Sequence, residues 1–300
     1  MKSLQWLCAA ALALAAVCSA AAQDQSSGTM SPPKILTITR EYVKPGKAGA
    51  VHDKTETAFV QAMAHSKVAT HYLGMNSITG KSRSLFFTGY DSFDAWEKDV
   101  ASQQKNAVLS AALDRAGAAD GELLDSMDTA AFMYNPEYSL NQQAEHATAA
   151  TRYFIVDVYH VKPGHRKDFE DGVKMVLEGY RKSQSEAHFA CYESMYGAPE
   201  GTFLFITALK AASEIDIVLG HDKDFMAAMG EDGMKKLEES SAASVESDEA
   251  NLFALNPNMS YVPAEWLKTD DFWKPKSGNS VAAAPKKPVE KPAEKTGAGQ

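Results

Sequence analysis

Val43-Lys44-Pro45-Gly46 recurs as Val161-Lys162-Pro163-Gly164, and Phe132-x-x-Asn135-Pro136-x-x-Ser139 recurs as Phe253-x-x-Asn256-Pro257-x-x-Ser260. The two motifs keep their order, and their copies are 118 and 121 residues apart. Such self-similarity at a nearly constant spacing indicates a tandem duplication. We therefore expect two similarly folded halves of about a hundred residues each, a normal size for a folding unit.

Each half shows the same order of strand-like and helix-like segments. Ile35-Leu36-Thr37-Ile38 and Tyr153-Phe154-Ile155-Val156 are rich in strand-forming residues, and each run leads to a Pro-Gly turn. After a helix come two strand-like runs (68–79 and 83–90; 186–197 and 201–210), a helical region (92–126; 212–244) and a last strand that ends at Asn-Pro. The order predicted for each half is βαββαβ.

The first helix of each half carries an apolar stripe at helical spacing. In the second half the stripe consists of Phe169, Val173, Val176, Leu177 and Tyr180. At a constant offset of 118 residues, the matching positions in the first half are Val51, Thr55, Ala58, Phe59 and Ala62. This offset predicts that Val51 and Ala58 face the core.

The order βαββαβ is that of the ferredoxin-like fold, an antiparallel sheet with helices on one face. The other sheet face is left bare and needs an apolar partner, which the duplication supplies within the same chain. We predict an α+β fold with two ferredoxin-like units at 34–140 and 151–263, joined by a linker at 141–150 and packed sheet to sheet. We expect a monomer with this internal pseudo-dimer.

A first strand that ends in V-x-P-G before an amphipathic helix resembles the dimeric α+β barrel superfamily, and the resemblance covers nearly all of 34–263. Within it, the chain is most similar to the antibiotic-biosynthesis-monooxygenase-like and NIPSNAP-like groups, in tandem. The resemblance implies a ligand pocket between a sheet and its helices or within the barrel, but no particular reaction. In the cofactor-independent monooxygenases of the superfamily, Asn and Trp, sometimes with His, line the pocket.

The two ends of the chain differ from the repeated units. An apolar run from Leu4 to Val17 before small residues predicts a signal peptide at 1–22, too short to span a membrane, and a periplasmic or secreted protein. A lipid anchor on Cys18 is the alternative. Cleavage leaves Cys191 as the single cysteine, so no internal disulfide can form. Residues 264–276 form an aromatic extension, and the Lys/Pro/Ala/Glu-rich residues 277–300 are expected to be disordered.

Charge and motif content exclude several kinds of partner. The formal net charge of −9 disfavours nucleic acid and leaves a small molecule as the expected ligand. The eight histidines form no HExxH motif, and the chain has no CxxC motif, so neither a metal site nor a cofactor is expected. A haem site like that of the chlorite-dismutase branch would need a helical histidine, for which His221 is the candidate.

The candidate site residues are polar or aromatic side chains at equivalent places in the two units. The candidates for catalysis are His71, His188, Tyr42 and His160, and those for ligand binding are Asn76, Trp96, Glu193 and Tyr159. His71 and His188 begin the second strand of their units, whereas Tyr42 and His160 end the first strand. The alternative for the first pair is that duplication copied a structural histidine held in place by hydrogen bonds.

Differences between the units indicate which pocket works. The second unit has His160, Glu193 and Ile215 where the first has Tyr42, Asn76 and Trp96, and this favours a first-unit pocket. The alternative is a second-unit cluster of His160, His188 and Glu193. Three functions remain open: an exported binder of a small apolar or aromatic molecule, a cofactor-independent monooxygenase acting on an aromatic or polyketide-like substrate, and a non-catalytic protein-interaction scaffold.

Overall fold

A strand that runs into a Pro-Gly turn and then a helix opens both halves of the chain. The computed structural model describes residues 29–141 and 147–274. The expected signal peptide, Cys18, the expected disordered tail and residues 142–146 of the linker lie outside these residues.

The described elements follow the expected order in each unit. The strands are β1 (Thr29–Met30), β2 (Ile35–Val43), β3 (Tyr72–Ser77), β4 (Arg83–Tyr90), β5 (Leu124–Tyr134), β6 (Ala147–Thr148), β7 (Tyr153–Val161), β8 (Ala190–Tyr196), β9 (Thr202–Leu209) and β10 (Val245–Leu255). The helices are α1 (Ala50–Ser66), α2 (Phe93–Lys105), α3 (Ala107–Gly121), α4 (Arg166–Lys182), α5 (Ser213–Gly220), α6 (Asp222–Ser244) and α7 (Ala264–Thr269). The second helical region of each unit is therefore divided in two, at Asn106 and at His221.

Eight strands close into one antiparallel barrel with the order β10-β3-β4-β2-β5-β8-β9-β7. The first unit supplies the run β3-β4-β2-β5, and the second supplies β8-β9-β7-β10. The two sheets join where β5 pairs with β8 and where β10 pairs with β3. The predicted fold class, two tandem ferredoxin-like units in a dimeric α/β barrel, is confirmed.

The inner faces of both sheets form the main hydrophobic core. Its buried members alternate along the strands, as expected when one face of each strand points inward. The core combines Leu36, Ile38 and Phe132 of the first unit with Phe154, Val156, Leu204 and Phe253 of the second. Neither sheet could bury this face alone, so the two units depend on each other for their stability.

The two Asn-Pro-x-x-Ser motifs cross between the units. The hydroxyl of Ser139, from the first motif, accepts a hydrogen bond from the backbone N–H of Cys191 in β8 at 2.9 Å. The hydroxyl of Ser260, from the second motif, accepts one from the N–H of Gly74 in β3, also at 2.9 Å. Each unit thus ends by docking on the second strand of the other unit, which explains why both copies of the motif have the same spacing.

The apolar stripe of α1 differs from the sequence expectation by one residue. Val51 is 51% exposed, and Ala58 is also exposed. The residues buried in their place are His52 and Glu56. The burial patterns of α1 and α4 match at an offset of 117, because one more residue precedes the buried face after the first Pro-Gly turn than after the second.

The aromatic extension packs on the barrel. Trp266 and Trp273 are both buried and belong to the main core. Their ring centroids lie 5.0 Å apart, and the indole N–H of Trp273 donates to the carbonyl oxygen of Ala149. Across the described residues, every helix is too short or too polar to cross a membrane.

Gly74 gives a direct test of the crossed docking. A Cβ at this position would lie 2.2 Å from the carbonyl oxygen of Met259, which is backbone and cannot move aside cheaply. We expect Gly74→Ala to lower the free energy of unfolding by roughly 3 kcal/mol in urea titrations. Gly121→Ala is the matched control, since a Cβ there meets nothing within 4 Å. An equal effect of both substitutions would contradict this docking.

Candidate functional site

A cavity of about 1170 Å³ lies in the second unit, between the outer sheet face and helices α4, α5 and α6. Its walls are mainly apolar and aromatic, with Ile155, Tyr159, Phe169, Val173, Val176, Tyr180, Phe189, Phe205, Ile215 and Val218 among the lining residues. Polar groups on the walls include Asp157, Glu186, His188, Thr207, Lys210, Glu214 and Ser240. Concave apolar spaces with a few polar groups are the usual form of small-molecule sites.

Strand alternation determines which residues reach this cavity. Phe154 and Val156 of β7 point into the barrel core, so Ile155, Asp157 and Tyr159 point to the helices. The helices above them are spaced from the sheet by large side chains. The helical wall opposite Tyr159 includes Phe169, and the two ring centroids are 5.8 Å apart. One carboxylate, Asp157, is therefore placed within an aromatic surface.

The environment of Asp157 favours its protonated form. Burial raises the pKa of this carboxyl, and the nearby charge of Asp248 on the neighbouring strand raises it further, to about 6. Burial also raises the pKa of Tyr159, with a further contribution from Asp157, and that of Tyr180. Asp157 can therefore exchange a proton near neutral pH, while both phenols keep theirs and remain hydrogen-bond donors.

His188 is on the cavity wall, but its ring is held by the backbone. Its Nε2 is 2.9 Å from the carbonyl oxygen of Ala208, and its Nδ1 is 3.4 Å from that of Glu186. An imidazole nitrogen must offer a lone pair to bind a haem iron, so this arrangement does not fit an axial ligand. His221 lies between α5 and α6, where its backbone carbonyl accepts hydrogen bonds from α6, and is not among the lining residues. The described residues of this cavity thus do not fit a haem.

The corresponding space in the first unit holds a buried polar cluster in which His52 is surrounded by three carboxylates, the acid–histidine cluster. Its Nε2 lies 3.1 Å from Glu41 Oε2, 3.2 Å from Asp120 Oδ1 and 3.7 Å from Glu56 Oε1. All four side chains are less than a tenth exposed. At the offsets of the repeat, His52, Glu56 and Glu41 stand where the second unit has Phe169, Val173 and Tyr159.

The ionisable groups of this cluster change one another's pKa values. Burial lowers the pKa of His52, but its hydrogen bonds with Asp120 and Glu41 outweigh burial and raise the pKa to about 10. Burial raises the pKa of Glu56 to about 9, with further contributions from Glu41 and Asp120. Asp120 keeps a lowered pKa despite its burial, because His52 and Thr55 donate to it. The group can hold either protons or another cation.

The first-unit candidates from the sequence do not meet at one place. The ring of His71 stacks on Tyr261 at 4.9 Å, whereas Trp96 stacks on Tyr90 at 5.8 Å. Tyr42 pairs with Arg83 at the end of β2, on the sheet face that points into the barrel. Asn76 is on the helix side, where its Oδ1 accepts a hydrogen bond from Ser84 beside His52.

The second-unit candidates are also dispersed, although two of them share the cavity. Tyr159 and His188 both line it. His160 contacts Thr202, at the opposite end of β9 from the Ala208 carbonyl that holds His188, a separation of about 20 Å along a strand. Glu193 forms an ion pair with Arg166 instead. The alternative cluster of His160, His188 and Glu193 is not assembled.

The sequence patterns missed the residues with the strongest electrostatic environments. Asp157 lies within a strand and carries no motif of its own. The repeat offset of 118 residues predicted Val51 as the buried residue of α1, whereas the buried residue is His52. The signal for His52 and Glu56 was their i, i+4 spacing on one helix face. Asp120 had no sequence signal, since α3 brings it to the cluster from 64 residues beyond Glu56.

Comparison with known proteins gives only remote similarities. No family model and no curated protein matches the chain. Solved structures that resemble it include a candidate monooxygenase from Fusobacterium nucleatum (12% identity, 74% of this chain and 91% of that one, TM-score 0.46). A second is an anthrone oxidase-like protein (13% identity, 76% of this chain and 94% of that one, TM-score 0.45). A third is the chlorite dismutase of Candidatus Nitrospira defluvii in complex with imidazole (9% identity, 81% of this chain and 97% of that one, TM-score 0.43).

The pKa of Asp157 predicts a specific pH dependence of stability. A carboxyl whose pKa rises from 3.8 to about 6 on folding binds more protons in the folded state, so stability falls as pH rises through this window. Asp157→Asn removes that loss. We expect the variant to be more stable than the wild type by up to roughly 2–3 kcal/mol above pH ~6.5 and equally stable near pH ~4, by urea unfolding. Asp248 is an exposed neighbour of Asp157, so Asp248→Asn should also increase the stability above pH ~6.5, but by less. If the unfolding free energies of Asp157→Asn and the wild type differed by the same amount at every pH, the raised pKa of Asp157 would be contradicted.

Proposed function

We propose that the chain binds a small apolar or aromatic molecule in the second-unit cavity. The observation that supports this is the large aromatic-lined space itself, which opens between the sheet and helices α4 to α6. This choice differs from the first-unit pocket that the sequence favoured. A protein-interaction scaffold would need no such space.

The polar groups of the cavity restrict the ligand. Asp157, Glu186 and Glu214 outnumber the single lysine, Lys210, on its walls. A strongly anionic ligand would therefore be repelled, while a neutral ring bearing a hydroxyl could stack on Tyr159 and donate to the Asp157 carboxylate. The favoured ligand class is a neutral or weakly acidic hydroxyarene. Assignment to the antibiotic-biosynthesis-monooxygenase-like or NIPSNAP-like groups is part of this proposal and is supported by the V-x-P-G turn and the repeated element order.

Filling the cavity tests the binding function. Ile215 lines the cavity at the position where the first unit carries Trp96. We expect Ile215→Trp to weaken binding of 1-naphthol at least about ten-fold in calorimetric titrations, because the larger ring occupies ligand space. Trp96→Ile is the matched control and should leave the affinity unchanged. Equal affinity in the wild type and Ile215→Trp would exclude this cavity as the binding site.

A cofactor-independent oxygenase is the second candidate, and Asp157 is the observation that favours it. A general base works best with a pKa near the working pH, and it must face an apolar space from which water is displaced. In this reaction the Asp157 carboxylate would accept a proton from the hydroxyarene, and a ring carbon of the resulting anion would form a bond to O₂. The peroxide would take the proton back from Asp157 and lose water, which leaves a quinone. Tyr159 and Tyr180, which stay protonated, could orient the substrate.

Oxygen uptake separates catalysis from binding. The wild type should consume O₂ with at least one member of a hydroxyarene panel, and Asp157→Asn should lower the rate constant at saturation at least about 100-fold. Binding of the same compound to Asp157→Asn should persist, since the amide keeps the shape of the site. A wild type that binds hydroxyarenes without consuming O₂ would leave the binding function standing and exclude the oxygenase.

A further inference from the structure

We propose that the acid–histidine cluster of the first unit is a binding site for one divalent transition-metal ion, such as Zn²⁺ or Mn²⁺. The four ligand atoms come from Glu41, His52, Glu56 and Asp120, and they all lie within 4.8 Å of one another. Zinc binds imidazole nitrogen and carboxylate oxygen at about 2.0–2.2 Å, so any two ligand atoms of a tetrahedral site lie about 3.3–3.6 Å apart. Side-chain movements that shorten the widest of these separations by roughly 1 Å would bring the four atoms into a tetrahedron.

Two buried polar atoms beside the cluster have no hydrogen-bond partner in the described part of the chain. They are Glu56 Oε1 and the hydroxyl of Tyr72. His52 Nε2 lies 3.7 Å from Glu56 Oε1, which is beyond hydrogen-bond length. Buried polar atoms are nearly always satisfied, so this carboxyl group needs either a proton shared with Asp120 or a bound cation.

Charge balance supports the same conclusion. Three buried carboxyl groups surround a single imidazole, so even when the proton that Glu56 holds is counted, two carboxylates face at most one positive charge. Buried charges are normally paired or coordinate a metal. Cys191 is absent from the cluster, and Ca²⁺ usually takes six to eight oxygen ligands, so one nitrogen with three oxygens favours a first-row transition metal.

Neighbouring side chains would orient the ligands. The hydroxyl of Ser84 donates to Asn76 Oδ1 at 2.6 Å and lies 3.5 Å from His52 Nδ1. Because that hydroxyl donates its hydrogen to Asn76, it can accept a hydrogen bond from Nδ1–H of His52. The Nε2 proton, which now faces the carboxylates, is then the one that a metal ion would replace. Thr55 similarly donates to Asp120 Oδ1 at 2.6 Å. Partners of this kind fix ligand orientation in metal sites.

The contrast with the second unit shows that the fold itself does not require these residues. Phe169 and Val173 occupy the positions of His52 and Glu56, and both are buried in an apolar cluster. The same helix-on-sheet packing is thus compatible with apolar residues. The polar set in the first unit therefore fits a ligand-binding role better than a packing role.

Metal titration of the untagged protein tests the proposal. After treatment with EDTA, the wild type should bind one Zn²⁺ or Mn²⁺ per chain by calorimetry, and Ca²⁺ and Mg²⁺ at least about ten-fold more weakly. Glu56→Gln and His52→Gln should each weaken Zn²⁺ binding at least about ten-fold. His65→Gln and Glu122→Gln, the same changes at exposed positions on α1 and after α3, should bind like the wild type.

A double variant distinguishes loss of metal binding from loss of folding. His52→Phe combined with Glu56→Val copies the second unit, so it should fold by circular dichroism yet bind no metal. Co²⁺ provides an independent readout, because its visible absorption bands should appear with the wild type and be lost in this variant. Absence of stoichiometric binding by the wild type, or binding that survives both single substitutions, would overturn the proposal and leave a proton-held ionic cluster.

Discussion

The fold depends on the burial of two bare sheet faces against each other. Each four-stranded sheet has helices on one side only, and its inner side carries residues such as Phe132 or Phe253 that are almost completely buried. Closure requires two seams between the units, β5 with β8 and β10 with β3. At both seams a serine hydroxyl from one unit binds a backbone N–H of the other. The seams therefore tie each unit to the other twice, and neither sheet is left with an open edge.

Because the inner faces are constrained, the outer faces of the sheets are where the two units can differ. In the second unit, aromatic side chains hold helices and sheet apart and leave a cavity. In the first unit, the corresponding layer contains the acid–histidine cluster and a stacked pair, Tyr90 and Trp96. The two halves thus share a scaffold but present chemically different spaces. One is a wide, mainly apolar chamber that contains a carboxyl group of raised pKa, Asp157, and the other is a small site dominated by charge.

The sequence was sufficient to predict what repetition and periodicity encode. Element order, the sheet-to-sheet packing and the paired motifs all follow from local patterns, and α4 shows the expected buried stripe. The slip in α1 was not predictable, because apolar spacing cannot reveal that charged residues occupy the core-facing positions. His52 and Glu56 look like ordinary surface residues until Asp120 and Glu41 are placed beside them by tertiary packing. Asp157 was missed for a related reason, since its environment is created by residues of α4, β9 and β10.

The acid–histidine cluster also bears on stability. Desolvating three carboxylates is expensive, and a buried ionic group is often less stabilising than apolar residues of the same volume. The second unit shows such an apolar layer, in which Phe169 packs on Phe203 with ring centroids 4.8 Å apart. Packing alone would therefore favour Phe and Val over His52 and Glu56. A cation that binds only the folded state contributes its binding free energy to folding, and this contribution can offset the desolvation of the carboxylates. Metal binding accounts in this way for both the orphaned oxygen of Glu56 and the departure of the first unit from the apolar pattern of the second.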